Sequence, residues 1–202
     1  MLRLEPHQQG ETMVAQGVLP FQCESEGSRS KATSVAGLLP YAELAAALKL
    51  RGAADSLVAV AGEQGWTDGG VLLSLMMLNL AGGGCVEDLE TLGADPGFQE
   101  MLRHLMTTGL TRSQRRRYRR RFRRGGERAV PSTSATRRYL EGFVEDAAEE
   151  GRGQGQAFMP KPSAGLMGLR LLNGFLAAQV ARRLEPTTAT LDQDATIIAS
   201  EK

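Results

Sequence analysis

The apolar positions of this chain fall into blocks of helical length, and glycine or proline separates the blocks. From Leu38 onward, Leu44, Leu48 and the alanines between them make a small apolar face. Pro40 suits the first turn of that helix, where its missing N–H costs nothing, and Gly52 offers a stop. A second short helix is predicted over 53–61. Gly65-Trp66-Thr67-Asp68-Gly69-Gly70 is a turn with two good capping residues, Thr67 and Asp68. It opens a helix through Val71, Leu72, Leu75, Met76, Leu78 and Leu80, which is apolar nearly all round and so belongs at the centre of a bundle. Gly82-Gly83-Gly84 ends it. A helix over 85–92 follows, with Glu87, Asp88 and Glu90 on its wet side, and Asp95-Pro96 starts another that runs to about residue 106.

Further on, Pro131-Ser132-Thr133-Ser134 marks the start of a helix over 135–149 that carries Tyr139, Leu140, Phe143 and Val144 on one face. Gly151-Arg152-Gly153-Gln154-Gly155 reads as a flexible link. Ser163 caps a longer helix in which Leu166, Leu169, Leu172, Phe175, Leu176 and Val180 recur at helical spacing, with Pro186 closing it. The period then changes. Ala189, Leu191, Gln193, Ala195 and Ile197 alternate with Thr190, Asp192, Asp194, Thr196 and Ile198, which predicts a strand. The expected fold class is therefore mainly α: a helical bundle, then a first strand. The succession helix, glycine turn, helix is the outline of a helix-turn-helix and equally of any helical bundle. Aromatic residues make up only 5% of the chain, so the core must come from Leu, Ala, Val and Met, which suits packed helices better than a sandwich.

Charge alters this picture more than composition does. The formal net charge of +1 hides a segregation: residues 111–128 hold ten arginines and one glutamate, or +9, and the remainder holds 14 basic and 22 acidic residues, or −8. An arginine stripe on an acidic body is a polyanion ligand, because each arginine that neutralises a phosphate releases condensed counterions. The candidate DNA-binding residues are Arg112, Arg115, Arg116, Arg117, Arg119, Arg120, Arg121, Arg123 and Arg124, with Arg137 and Arg138 on the next helix. Tyr118 and Phe122 interrupt the run and are candidates for stacking on exposed bases. The plainer reading is a solvated charge run.

Other chemistry is sparse. Cys23 and Cys85 have no metal-clip or disulfide-framework spacing, and Cys85 is expected to pack in the bundle as a small hydrophobe. His7 and His104 stand alone, and His104 is expected near a helix end. Trp66 reads as a packing anchor, and Gly82-Gly83-Gly84 lacks the lysine and serine of a phosphate loop. No N-terminal signal core is visible, and no apolar run reaches the roughly 20 residues that span a bilayer. The expected location is cytoplasmic and nucleoid-associated, with no membrane partner. Asp192 and Asp194 remain. Two residues apart on a strand, they project to the same side, and a Mg2+ ion would relieve their repulsion. Two ordinary acids on a solvated strand edge are the alternative.

Several segments taken in order resemble one family. Gly65-Trp66-Thr67-Asp68-Gly69, Leu80-Ala81-Gly82-Gly83-Gly84-Cys85-Val86-Glu87-Asp88-Leu89, Ala94-Asp95-Pro96-Gly97, Pro131-Ser132-Thr133-Ser134-Ala135-Thr136-Arg137-Arg138-Tyr139-Leu140 and Ala189-Thr190-Leu191-Asp192-Gln193-Asp194-Ala195-Thr196 are similar to motifs of bacterial insertion-sequence transposases of the DDE type. The resemblance covers roughly residues 37–202, and the long arginine run departs from it. It implies a helical, helix-turn-helix-like region ahead of an RNase H-like catalytic domain, in which three carboxylates hold two Mg2+ ions for phosphodiester cleavage and joining. By motif, Asp194 is the first catalytic carboxylate and metal ligand, since it precedes Ala195 and Thr196, and Asp192 is the second choice. The other two carboxylates are expected beyond Lys202. The implied organisation is a loosely ordered segment 1–36, a helical DNA-binding-type region 37–184 with the arginine-rich insert 111–128, and the start of a truncated catalytic domain at 185–202. Such a fragment is expected to bind DNA, at insertion-sequence ends and non-specifically, without catalysing transposition, and a homodimer is considered. Two other readings compete: a non-catalytic DNA-binding protein, and a haloacid-dehalogenase-like phosphatase fragment, whose first motif also fits Asp192-x-Asp194-x-Thr196.

Overall fold

The chain turns into its first helix through a 3-10 turn, Ala36–Leu38, and Pro40 occupies the opening turn of α1 (Leu39–Ala47) as its fixed φ favours. This computed structural model describes residues 33–121, 128–144, 161–185 and 187–188. Among them the chain is mainly α, with eight α-helices and no strand. The predicted strand over 189–198, the link at 151–155 and residues 1–32 lie outside the described residues, as does everything predicted for 145–149.

The first break falls at Lys49, in the left-handed region at φ 53°, and not at Gly52, which lies inside α2 (Leu50–Leu57). The reason is burial. Ala42 and Ala45 of α1 and Leu50 and Ala54 of α2 all face one core, so the axis must be redirected just before Leu50. That demand outweighs the roughly 1–2 kcal/mol an L-residue loses in the left-handed region.

Helix α3 (Asp68–Leu80) is the central element, as its all-round apolar pattern predicts. It buries Val71, Leu73, Ser74, Met77 and Leu78, and it packs on α2 and on α4 (Asp88–Ala94). Thr67 caps it by accepting from the Gly70 N–H at 3.1 Å. Asp68, the other predicted cap, does something else: buried at 5% exposure, its Oδ1 accepts from the backbone N–H of Val60 (3.2 Å) and of Ala61 (3.1 Å) and from the Tyr139 hydroxyl (2.9 Å). Next to it the Gly69 N–H donates to Asp55 Oδ1 at 2.7 Å, and Asp55 also pairs with Arg51. A Cβ at Gly69 would collide with the Arg51 carbonyl oxygen, so α2 and α3 approach this closely only because the position is glycine.

Asp95-Pro96 starts α5 (Pro96–Thr107) as predicted. Asp95 Oδ1 accepts from the Phe98 N–H at 2.8 Å, and its Oδ2 accepts from the Ser34 N–H and the Thr33 and Ser34 hydroxyls, which ties the chain entry to this helix. Phe98, Leu102 and Met106 of α5 join Leu73, Met77 and Leu89 in a single core. Two further helices precede the last: α6 (Arg112–Arg121) and α7 (Thr133–Glu141), the latter capped by Ser132.

Ser163 caps α8 (Ala164–Leu184), also as predicted, and Gly168 lets that helix rest on the backbone at Leu57 and Val58. The apolar stripe of α8 is only partly used. Leu172 is buried and Leu169, Phe175 and Leu176 are half-buried, but Leu166 and Val180 are exposed. This corrects the expectation about apolar runs: among the described residues α8 is, by length and composition alone, long and apolar enough to cross a membrane.

The Asp68–Tyr139 contact joins elements 71 positions apart, so its loss should be felt by the whole bundle. Tyr139→Phe is expected to lower the unfolding free energy by about 1.5–3 kcal/mol in urea titrations, the scale of a hydrogen bond to a charged group. Burial, the bond to Asp68 and the charges of Asp68 and Asp55 push the Tyr139 hydroxyl well above its ordinary value of 10.0. A raised value stabilises the fold fully below that ordinary value and progressively less as pH rises past it. Stability should therefore fall above about pH 10 in the wild type and fall less in Tyr139→Phe, with one phenolate ionising only as the protein unfolds. Equal alkaline losses in the two proteins would remove Tyr139 from this role.

Candidate nucleic-acid interface

Helix α6 starts with a reciprocal cap. The Gln114 N–H donates to Thr111 Oγ1 at 3.3 Å and the Thr111 N–H donates to Gln114 Oε1 at 2.9 Å, a capping box in which two otherwise orphaned donors are satisfied. Arginine is a good helix former, but like charges three and four positions apart repel. The cap and one inward side chain offset that repulsion. Tyr118 is half-buried and packs against the core, and Thr111 through Arg117, Arg119 and Arg120 are exposed. No other described helix packs extensively along α6.

Arg112, Arg115, Arg116, Arg119 and Arg120 line an open depression of about 450 Å³. Arg117 is exposed beside them, and Arg121 ends the helix. Among the described residues no acidic side chain pairs with Arg112, Arg115, Arg116, Arg117, Arg119 or Arg120. Arg123, Arg124 and Phe122 lie outside the described residues.

The candidates on α7 divide. Arg138 is exposed and makes no ion pair among the described residues, whereas Arg137 is paired with Glu87. The Glu87 carboxyl is held below its ordinary range by its own backbone N–H and then by Arg137. Thr133 Oγ1 donates to Glu90, so α7 is tied to the α4 region at two points. Arg137 already shares its charge with Glu87, which makes it a poorer candidate than its neighbour.

Two expectations are corrected. Tyr118 is turned to the core and is not presented for base stacking; its place between arginines hid the fact that it occupies the one inward position of α6. Cys85 is exposed and does not pack in the bundle, since α4 begins only at Asp88 and the turn before it carries Cys85 outward, with the Cys85 N–H donating to Asp88 Oδ2. Trp66 is half-buried with its ring beside Gly70. Asp192 and Asp194 lie outside the described residues, so no geometry attaches to them. Among the described residues no group of three or more His, Cys, Asp or Glu could hold a metal ion. The sequence signal that was overlooked is Thr111-x-x-Gln114, a capping-box spacing that fixes where the arginine helix begins. No protein-family model, no curated protein and no solved structure matches this chain.

The capping box gives a local test. Thr111→Ala is expected to cost α6 about 1 kcal/mol, speeding amide hydrogen exchange across residues 115–120 about fivefold while α3 and α5 are unaffected. Unchanged exchange in α6 would show that the cap does not hold this helix.

Proposed function

We propose that this chain binds DNA through α6, gripping the phosphate backbone, and that it does so as the DNA-holding part of a DDE-type transposase. The observation that carries the binding reading is the set of six exposed arginines, Arg112, Arg115, Arg116, Arg117, Arg119 and Arg120, on a helix with only Tyr118 turned inward and no acid paired to them among the described residues. Guanidinium groups without an acidic partner among the described residues are ready donors for phosphate oxygens, in pairs. The transposase reading rests on the ordered motif resemblance. Within it Asp194, and as second choice Asp192, is the first Mg2+-binding carboxylate, the DNA partner includes insertion-sequence ends, the protein acts as a dimer, and its place is the cytoplasm and nucleoid.

Salt dependence tests the first half. With five or six arginines on phosphates, the logarithm of affinity for a duplex should fall against the logarithm of salt with a slope of about −4.5 to −5.5. Replacing Arg112, Arg115, Arg116, Arg119 and Arg120 by alanine should remove most of that slope. Asp192→Ala with Asp194→Ala should leave it nearly unchanged, and Arg137→Ala should change it by less than about 1. A five-arginine variant that binds as tightly, with the wild-type slope, returns α6 to an ordinary solvated charge run. The second half predicts inverted terminal repeats flanking the coding region and a footprint of the protein on them. Flanks without repeats, together with equal binding to any duplex, leave a non-catalytic DNA-binding protein.

A further inference from the structure

We propose that α6 enters the major groove of B-form DNA as a whole helix, held by phosphates on both groove walls; this deepens, and rests on, the reading of α6 as the DNA grip. The first argument is angular. At about 100° per residue, the six described arginines spread over about 200° of the helix circumference, with Arg116 near the middle of the arc. Arg115 and Arg119 lie toward one flank of it, Arg117 lies at the other, and Tyr118 occupies the opposite side. A single strand or a flat anionic surface meets only one side of a helix, so it would leave one flank of this arc facing water. Only anions placed on both sides and below use the whole arc, and a groove in a double helix places them so.

The second argument is access. Every residue from Thr111 to Arg120 except Tyr118 is exposed, and no described helix packs extensively along α6, so its outward side can be enclosed. The third is size. A helix with its side chains is roughly 10–12 Å across, which the major groove, about 12 Å wide, admits and the minor groove, about 6 Å wide, does not. The helix Arg112–Arg121 has 10 residues. At 1.5 Å per residue that is about 15 Å, enough for one groove crossing. A fourth point separates duplex from single-stranded DNA. The described outward side of α6 carries no aromatic ring, because Tyr118 is packed on the core, so the stacking that stabilises single-strand complexes is missing there.

The experiment uses the full chain with a G·C-containing duplex of about 20 base pairs, the matching single strand, and an RNA duplex of the same sequence. Arg117→Ala probes one flank and Arg115→Ala with Arg119→Ala the other, and unchanged urea midpoints confirm that these exposed substitutions leave the fold intact. If α6 lies in the groove, Arg117→Ala reduces the salt slope by about 1 and the double variant by about 2. Saturating protein then also shields guanine N7, which faces the major groove, from dimethyl sulfate. The proposal is overturned if Arg117→Ala leaves the slope unchanged and N7 stays reactive while the double variant still flattens the slope. In that case α6 lies along one strand and the DNA-binding reading survives. Equal or tighter binding to the RNA duplex or to the single strand also overturns it. Absence of affinity for every one of these nucleic acids removes both the groove placement and the function it rests on.

Discussion

A carboxyl group buried at the start of a helix must be satisfied by donors, or the helix cannot be packed there. Asp68 is in that position, and its three donors come from two places: the N–H groups of Val60 and Ala61 in the turn after α2, and the Tyr139 hydroxyl of α7. The same few residues also hold Gly69 to Asp55 of α2. The end of α2, the turn after it and, from 71 positions away, α7 thus converge on the first turn of α3. The apolar core below, from Leu73 and Met77 to Phe98 and Leu102, then has a fixed frame to fill. Tyr139 and Phe143 meet edge to face with ring centroids 5.3 Å apart, so the polar contact continues directly into apolar packing.

That frame settles what is left outside. Helix α8 is seated by its first half, through Gly165, Gly168 and Leu172, while Leu184 at its far end is 72% exposed. Helix α6 is seated by Tyr118 alone among the hydrophobic residues of its length. The bundle is therefore packed around α3, with one strongly charged helix and one partly covered apolar helix attached to it by short stretches. Charge and apolarity are kept on separate elements, so polyanion binding at α6 need not disturb the core.

Much of the fold was legible because caps and breakers act locally. Thr67, Asp95-Pro96, Ser163 and Pro40 each do what their neighbours in sequence suggest, since a helix terminus is decided by the four or five residues around it. Cys85 was misplaced by a local boundary, since α4 starts only at Asp88, and the other errors concern long-range facts. Lys49 adopts a left-handed conformation because two helices share a core, which nothing at Lys49 announces. Tyr118, read beside arginines, suggested stacking on bases; only the body below α6 makes it a core residue. Arg137 looked as free as Arg138, and its pairing with Glu87, 50 positions away, depends on how α7 meets the turn before α4. The stripe on α8 has the right period for a buried face, yet period says which residues share a side and not whether anything covers it. The candidate site was legible as a charge run, and its shape as a one-sided helix anchored by a single tyrosine was not.

The availability of the α6 arginines has a cause in the rest of the chain. The body is acidic, at −8 outside residues 111–128, so intramolecular neutralisation of the stripe would be the simplest electrostatic outcome. It does not occur among the described residues, where Asp55, Asp68, Asp88 and Asp95 are committed to backbone donors. Asp55 takes the Gly69 N–H, Asp68 those of Val60 and Ala61, Asp88 those of Gly84 and Cys85, and Asp95 those of Ser34 and Phe98. At Asp88 these N–H groups hold the carboxyl below its ordinary range. At Asp95 burial works in the opposite direction and the bonds from Phe98, Ser34 and Thr33 overcome it. A carboxylate fixed in this way meets a guanidinium with its remaining oxygen, as Asp55 meets neighbouring Arg51, and swinging out to a distant one would orphan the N–H groups it serves. These four aspartates thus serve turns and helix starts, Glu87 and Glu100 are paired with Arg137, Arg103 and His104, and among the described residues no acid meets the stripe. Among the described residues, charge segregation thus goes with aspartate used in local backbone architecture and arginine left exposed on α6.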